Sequence, residues 1–197
     1  MPLGYNFNNG LRMYSKLYAG YADNSYDRIT DAGTKNANYD EYQFGLSNEV
    51  RYSVNLQNNI FFEPLLELNY LNLHQDSINE SSAIDSLNIK SSNSSSLELG
   101  LGAHLKTELS IDEKQKLTVQ IGGVYYVEFL EPDKALNATM NNMNGKLSIA
   151  HKQSNNRGVA SLRASYNYKD ILLYTNIEKD FGAIDAFSID AGIQYNF

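Results

Sequence analysis

Apolar and polar residues alternate along most of this chain. The clearest stretch runs from Leu97 to Leu109, where leucine or alanine fills nearly every odd position and residues such as Glu98 and Lys106 fill the even ones. A helix would scatter these leucines around its circumference, whereas a strand places them on one face. Seven other stretches alternate in the same way. The eight predicted strands cover approximately residues 11–22, 39–56, 60–73, 94–110, 116–129, 158–168, 171–179 and 186–197. The pattern therefore predicts an all-β protein with about eight strands.

The connections between these strands alternate between short and long. Short turns are predicted near residues 8–10, 57–59, 111–115 and 169–170; long polar loops are predicted over 23–38, 74–93 and 130–157, with a short extended piece near 146–150, and a modest loop near 180–185. Outer-membrane barrels have short periplasmic turns and longer extracellular loops. If the last strand ends in the periplasm, counting back from it places every short turn on the periplasmic side and every long loop outside. This regular alternation of loop lengths predicts an antiparallel up-and-down transmembrane β-barrel.

The final predicted strand stops on an aromatic residue. Apolar side chains occupy alternate positions from Ile189 to Phe197. The last residues of a soluble domain usually fray into water, whereas a barrel in lipid cannot leave the edge of its last strand unpaired. The ending also resembles the carboxyl-terminal assembly signal of bacterial outer-membrane barrels, and the predicted signal residues are Asp190, Gly192, Tyr195 and Phe197.

The two faces of the predicted strands differ in chemistry. The apolar face is expected to contact lipid, through Leu97, Leu99, Leu101, Leu105, Val119, Ile121, Ile189 and Ile193. The polar face is expected to line the lumen, through Glu49, Arg51, Glu63, Glu67, Glu98, Lys106, Glu128, Arg163 and Glu178. These charges could form a selective pore or a mixed-charge, watery interior. Selectivity filters carry rings of one sign and this set mixes both, so we favour the mixed-charge interior.

Composition narrows the function classes. The 197 residues are expected to form one domain, with a mean hydropathy of −0.44. No run approaches the roughly 20 apolar residues that a transmembrane helix needs, so a helical membrane protein is excluded. The chain has 16 basic and 23 acidic residues, a net charge of −7, and no dense basic patch. That balance argues against a nucleic-acid partner.

Candidate chemistry is sparse. The chain has no cysteine, and His74, His104 and His151 lack the spacing of a metal site, so neither a metal nor a cofactor is expected. No nucleophile elbow, phosphate loop or paired-carboxylate motif is present, and His104 falls on the polar face, so an enzyme is not expected. The first residues lack the basic start and apolar stretch of a secretion signal, which is therefore expected upstream.

A set of local features resembles the translocator domain of autotransporters, which serve type V secretion. The features are Glu63-Pro64 in an apolar strand followed by Leu68 and Tyr70, the loop residues Gln75-Asp76, the glycine-rich strand Leu97 to Leu105, and the ending Gly192 to Phe197. The resemblance covers nearly the whole chain. It implies a twelve-stranded outer-membrane barrel, with a helix through the pore that joins the barrel to a secreted passenger.

That resemblance sets expectations for domain boundaries and partners. Only eight full strands and part of a ninth are visible, so residues 1–197 are expected to be the last two-thirds of the barrel, truncated at the amino-terminal end. The implied partners are outer-membrane lipid, the barrel-assembly machinery and a covalently linked passenger. The implied location is the bacterial outer membrane.

Two other interpretations remain open from sequence. A complete eight-stranded barrel would fit the strand count and could act as a surface adhesin or a small structural porin, with an interior filled by side chains. A soluble β-sandwich that binds a ligand would use the polar faces as its solvated side. The sandwich would leave the aromatic terminus and the alternation of loop lengths unexplained.

Overall fold

The computed structural model describes residues 3–31, 33–81, 85–130, 136–140, 146–149, 156–182 and 185–195. Every regular element in these ranges is a β-strand. The strands are β1 (Leu3–Asn6), β2 (Leu11–Thr30), β3 (Gly33–Tyr52), β4 (Val54–Gln57), β5 (Ile60–Gln75), β6 (Ile78–Asn79), β7 (Leu87–Ile89), β8 (Ser92–Asp112), β9 (Gln115–Glu128), β10 (Leu136–Met140), β11 (Lys146–Ile149), β12 (Asn156–Tyr168), β13 (Ile171–Gly182) and β14 (Phe187–Tyr195). The described part of the chain contains no helix long and apolar enough to cross a membrane.

The long strands form one antiparallel sheet in which neighbours in sequence are neighbours in space. The order is β1-β2-β3-β5-β8-β9-β12-β13-β14, and β4 continues the line of β3 beside β5. The sheet curls into a half-barrel. Within the described residues, the outer edges of β1 and β14 have no partner strand. The prediction of an all-β antiparallel fold with about eight long strands is therefore confirmed, and β1 is the partial ninth.

A proline explains why β3 and β4 are separate. The β3–β5 ladder ends at the pair Arg51 and Leu65, and the β4–β5 ladder begins at Val54 and Phe62. Pro64 lies in this gap and has no N–H to donate. Ser53, at the break, points its N–H toward β2 and donates to the Gly10 carbonyl at 2.9 Å, which continues the β2–β3 ladder by one pair. The interruption therefore affects only the side of the strand that faces β5.

The prediction of a loop over residues 23–38 is wrong. β2 and β3 continue as one hairpin, with an unbroken register from Leu11 opposite Tyr52 to Thr30 opposite Gly33. The reason is that this part of the hairpin is polar on both faces, with residues such as Ser25 and Asn38 paired across the strands. Cross-strand hydrogen bonds hold it without the apolar face that periodicity detects.

The other two predicted long loops contain a small second sheet. Its antiparallel order is β11-β10-β7-β6, so residues from the 74–93 segment pair with residues from the 130–157 segment. β11 confirms the extended piece predicted near residue 146. The long strands also reach further than predicted, because β5 runs to Gln75 and β8 begins at Ser92.

Burial in the main sheet is inverted relative to a soluble protein. Glu63 is fully buried and His104 is 4 % exposed, on the same face as Arg51 and Lys106. On the opposite face Leu101 is 62 % exposed, and many other large apolar side chains of the long strands are exposed there, such as Leu17, Ile121 and Ile193. Soluble monomers rarely expose apolar patches beyond a few hundred Å². The outer face is therefore built to contact something other than water.

We predict that the close approach of β8 and β9 at Gly102 cannot accept a side chain. A Cβ on Gly102 would lie 2.4 Å from the carbonyl oxygen of Gly123, whereas a Cβ on Gly158 would meet no atom within 4 Å. Gly102→Ala should destabilise the folded barrel by about 1–3 kcal/mol, as overpacking does. The readout is the temperature at which the compact folded band is lost on a gel. Equal midpoints for Gly102→Ala and the control Gly158→Ala would refute this account.

Candidate functional site

The concave face carries a network of charges centred on Glu63 of β5. Its carboxylate accepts from Arg12 of β2 and from Lys106 of β8, each at 3.0 Å, and from Arg51 of β3 at 3.3 Å. The Ser53 hydroxyl donates to the same carboxylate at 3.1 Å. Arg12 reaches Glu63 across the intervening strand β3. Because Glu63 is fully buried although this part of the sheet is a single curled layer, this face is the concave one.

The Glu63 network continues on both sides with alternating sign. Arg51 also contacts Glu49 at 2.8 Å, and Lys106 also contacts Glu108 at 3.0 Å. Lys116 of β9 in turn binds Glu108 at 2.5 Å. Each charge therefore has an opposite charge beside it, which matches the mixed-charge interior favoured from sequence.

A second network lies further along the same face, around Arg157 of β12. Its guanidinium contacts both oxygens of Glu98, at 2.8 and 2.9 Å, and binds Asp180 at 3.1 Å. The same group stacks over the Tyr126 ring at 4.2 Å, and the Tyr126 hydroxyl donates to Glu67 at 2.6 Å. The Arg157–Glu98 contact spans β9 and the Tyr126–Glu67 contact spans β8, so the network joins β5, β8, β9 and β12. A bidentate pair of this geometry is among the stronger ionic contacts in proteins.

The structure places all nine predicted lumen residues on the concave face, in four groups. Glu49, Arg51, Glu63 and Lys106 share the first network, and Glu67 and Glu98 share the second. Arg163 pairs with Glu178 at 3.0 Å, and Glu128 accepts the Leu97 N–H at 2.8 Å beside Ser96. That this face lines a closed lumen stays a prediction.

Sequence analysis misses several members of these networks. Arg12 lies on the polar face of its predicted strand but is absent from the predicted lumen set. Arg157 and Asp180 fall just outside the predicted limits of their strands. The polar face continues from Arg163 through Ser161 and Val159 to Arg157, so a predicted strand that began one residue earlier would have included Arg157.

The eight predicted lipid-facing residues all lie on the convex face. Five of them are exposed, from 48 % at Leu105 to 71 % at Ile193, together with Leu101, Ile121 and Ile189. Leu97, Leu99 and Val119 are partly exposed. Contact with lipid stays a prediction for this set.

The predicted assembly signal lies on β14, at the open edge of the described sheet. The Tyr174 ring lies directly over Gly192, where a Cβ would come within 2.3 Å of the Tyr174 hydroxyl. Asp190 accepts from the Asn176 amide at 3.1 Å, and Tyr195 pairs with Ile171. A side chain at 192 would therefore displace the Tyr174 ring from this position. Phe197 lies outside the described residues, and the recognition role of the signal stays a prediction.

The histidines do not come together. His104 is buried on the concave face, whereas His74 lies on the opposite face near the end of β5, within 2.6 Å of Asn93 and 3.0 Å of Asp76. His151 lies outside the described residues. Among the described residues, no group of three or more His, Asp or Glu side chains is arranged to hold a metal ion.

A curled antiparallel sheet with ion-paired charges inside and apolar side chains outside defines the wall of a membrane β-barrel. The sequence matches the family described as autotransporter beta-domain over residues 3–178. The chain therefore belongs to the autotransporter beta-domain family, whose members are outer-membrane barrels that act as translocators rather than as catalysts. A search of curated proteins finds no match to this chain.

We predict that Glu63 stabilises the barrel far more than Glu178 does. The Glu63 side chain is fully buried among three cations, whereas Glu178 is 30 % exposed beside an Arg163 that is 46 % exposed. Glu63→Gln leaves the cations without their carboxylate and should cost about 3 kcal/mol. Glu178→Gln, the matched control, should cost about 1 kcal/mol or less. Urea unfolding midpoints of the refolded barrel measure both, and similar losses would argue against the Glu63 network as a structural centre.

Proposed function

We propose that this chain is the carboxyl-terminal two-thirds of a twelve-stranded translocator barrel. The barrel anchors in the outer membrane of a Gram-negative bacterium and carries an amino-terminal passenger to the cell surface. The observation that supports this proposal most directly is the contrast between the exposed apolar convex face and the ion-paired concave face of one curled sheet. Membership of the autotransporter beta-domain family points the same way.

The convex face would anchor the barrel in the outer membrane. A membrane-spanning strand needs about 9–11 residues, and β9, β12 and β13 supply 14, 13 and 12. Fully burying an isoleucine or leucine side chain is worth about 1.5–3 kcal/mol. A belt of such side chains on every long strand is enough to hold the barrel in lipid without any lipid-specific site.

Closure needs strands beyond those described. Lipid offers no partner for backbone N–H and C=O groups, so a spanning sheet must close on itself. The open edges of β1 and β14 in the described sheet therefore call for further strands between them. Strands encoded upstream of β1 would fill this gap, pairing with β1 on one side and with β14 on the other.

The concave face would provide the path along which the passenger polypeptide moves. In the two networks there, most charges are neutralised by neighbours in the wall, as Glu63 is by Arg12, Arg51 and Lys106. A passing polypeptide thus meets a polar, mixed-sign surface on which no single contact is strong. Conduction through a pore requires binding weak enough to release what enters. A wall of satisfied ion pairs meets that requirement for many passenger sequences.

The assembly signal completes the proposal. β14 presents Gly192 and Tyr195 on the strand at the open edge, followed by Phe197 at the end of the sequence. We propose that the barrel-assembly machinery recognises this strand before the edge pairs with the first strand of the barrel. The Tyr174 ring over Gly192 keeps the two last strands in register during that step.

The eight long strands favour one second candidate, a self-contained barrel that acts as an adhesin or a structural porin. It would require β14 to pair with β2 or β1. The soluble sandwich has less support, because the long strands described form a single sheet and not two packed ones.

We predict that the 197-residue chain needs upstream sequence to fold as a barrel. Expressed with the upstream sequence for about four more strands, it should run in detergent as a compact band that heating shifts, because only then are both edges paired. The chain alone should give no such band. A heat-sensitive compact band from the chain alone would instead support the self-contained barrel.

We also predict that two adjacent positions respond differently to the same charge. Ile121→Glu puts a carboxylate on the lipid face, where a charge is unfavourable near the bilayer centre, and should reduce both the folded barrel and the display of passenger at the cell surface. Gln120→Glu, one residue away on the concave face and between Lys106 and Arg163, should leave both near the wild-type level. Protease accessibility of the passenger on intact cells measures display. Equal effects at the two positions would contradict the assignment of the faces.

A further inference from the structure

The ladder between β5 and β8 is interrupted near its outer end. Its last pair is Gln75 opposite Ser92, and pairing resumes further along the chain in β6 and β7. Asp76 lies in this interruption, where its N–H donates to the Asp40 carbonyl of β3 at 2.9 Å. On the β3 side the wall is therefore continuous here, whereas on the β8 side the regular pairing is missing.

The side chain of His74 in β5 bridges this interruption through both of its ring nitrogens. Nδ1 lies 2.6 Å from Oδ1 of Asn93, the residue opposite it on β8, and Nε2 lies 3.0 Å from a carboxylate oxygen of Asp76. A ring nitrogen can donate to an oxygen only when it carries a hydrogen, and the neutral imidazole carries one hydrogen for its two nitrogens. Only the protonated ring can therefore donate to both oxygens at once.

The neighbouring strands add aromatic rings and carboxylates to the convex face around His74. On β3, the Tyr42 ring lies 6.2 Å from the imidazole, and Asp40 lies on the same face two residues away. On β2, Asp23 is opposite Asp40, and the Tyr21 hydroxyl donates to the Asp40 carboxylate at 2.9 Å. That hydrogen bond raises the pKa of Tyr21 to about 12, so the phenol stays uncharged. The charges that these strands place beside His74 are therefore negative, which favours a protonated ring.

His74 lies beyond the membrane-spanning part of β5. It is the penultimate residue of a 16-residue strand that starts at a short turn, whereas spanning needs about 9–11 residues. Its hydrogen bonds to Asn93 and to Asp76 raise the pKa of His74 above the ordinary value of 6.5. A histidine whose pKa is raised by folding adds stability that is fully present below the ordinary value and is lost as pH rises through the folded value.

We propose that His74 is a proton-operated clamp at the outer rim of the barrel. In mildly acidic surroundings the charged ring ties Asn93 on β8 to Asp76, just before β6, and so bridges the interruption of the ladder from the convex side. In alkaline surroundings the ring keeps a hydrogen on one nitrogen only, and the connection between Asn93 and Asp76 opens. The inference rests on the proposed function only for placing this rim on the cell-surface side of the membrane.

The ionisation of His74 can be measured directly by NMR on the complete barrel, with its upstream strands, refolded in detergent with labelled histidine. The resonance of His74 is the one that disappears in His74→Gln. We expect it to titrate above 6.5 in the wild type, and at a lower pH in Asp76→Asn, which removes the charge at Nε2. The matched control Asp23→Asn removes a carboxylate that does not contact the ring and should change the titration less. Asn93→Asp, which places a charge at Nδ1, should raise it further.

A second measurement connects this ionisation to stability. The urea midpoint of the complete barrel is compared at about pH 5 and about pH 8, the two ends of the range in which histidine titrates. The wild type should lose more stability than His74→Gln on going from the acidic to the alkaline condition, because glutamine does not titrate. All other titrating groups, including the buried His104, are the same in both proteins. The difference between the two pH responses therefore reports His74 alone.

Two outcomes would overturn the clamp. Titration of His74 at or below 6.5 in the folded barrel would show that one ring nitrogen accepts a hydrogen bond, as it would if Asn93 presented its NH₂ group. Equal pH responses of the wild type and His74→Gln would show that protonation does not stabilise the rim. Export is tested separately, since neither measurement uses a passenger. If His74 titrates as expected but the complete barrel displays no passenger, the clamp stands and the export function fails.

Discussion

A strand surrounded by hydrocarbon can satisfy its backbone hydrogen bonds only on another strand. This constraint accounts for the simple meander of the long strands, in which each strand pairs with its neighbours in sequence. It also accounts for the local adjustment at Pro64. The proline lies opposite Tyr52 and removes one donor from the β3–β5 ladder, while the N–H of the next residue, Ser53, still donates to Gly10 in the β2–β3 ladder. The break therefore costs one pairing on the β5 side and leaves the β2 side intact.

The same constraint inverts the usual roles of apolar and charged residues. The convex face carries the leucines and isoleucines, and the concave face must be held by contacts that tolerate water. Ion pairs serve this purpose when each charge has several partners. Glu63 contacts three cations from three strands, so it ties together β2, β3, β5 and β8. Arg157 does the same for β8, β12 and β13 through Glu98 and Asp180. A charged centre of this kind also fixes register, because a shift by one residue would move every charge to the lipid side.

Sequence reasoning succeeds here where a physical demand repeats every second residue. The lipid belt imposes such a demand, so the strands that cross it, such as β8 and β9, are found with nearly correct limits. Sequence reasoning fails where the environment does not require apolar and polar residues to alternate. The β2–β3 hairpin beyond residue 22 is polar on both faces and reads as a loop, although it is a continuous ladder. The small sheet joins segments about 50 residues apart, and the ion pair between Glu80 and Arg28 is one that no local pattern encodes. Arg157 is missed for a narrower reason, since its strand begins two residues before the apolar pattern becomes clear.

The long strands are unequal, and this affects the shape of the rim. β2 and β3 have 20 residues each, whereas β13 has 12 and β14 has 9 in the described part. Eight further residues add about 26 Å along a strand at roughly 3.3 Å per residue. Within the described sheet, the wall is therefore taller at β2 and β3 than at β13 and β14. In the proposed barrel, the β2–β3 hairpin therefore extends further beyond the membrane than the β13–β14 hairpin does.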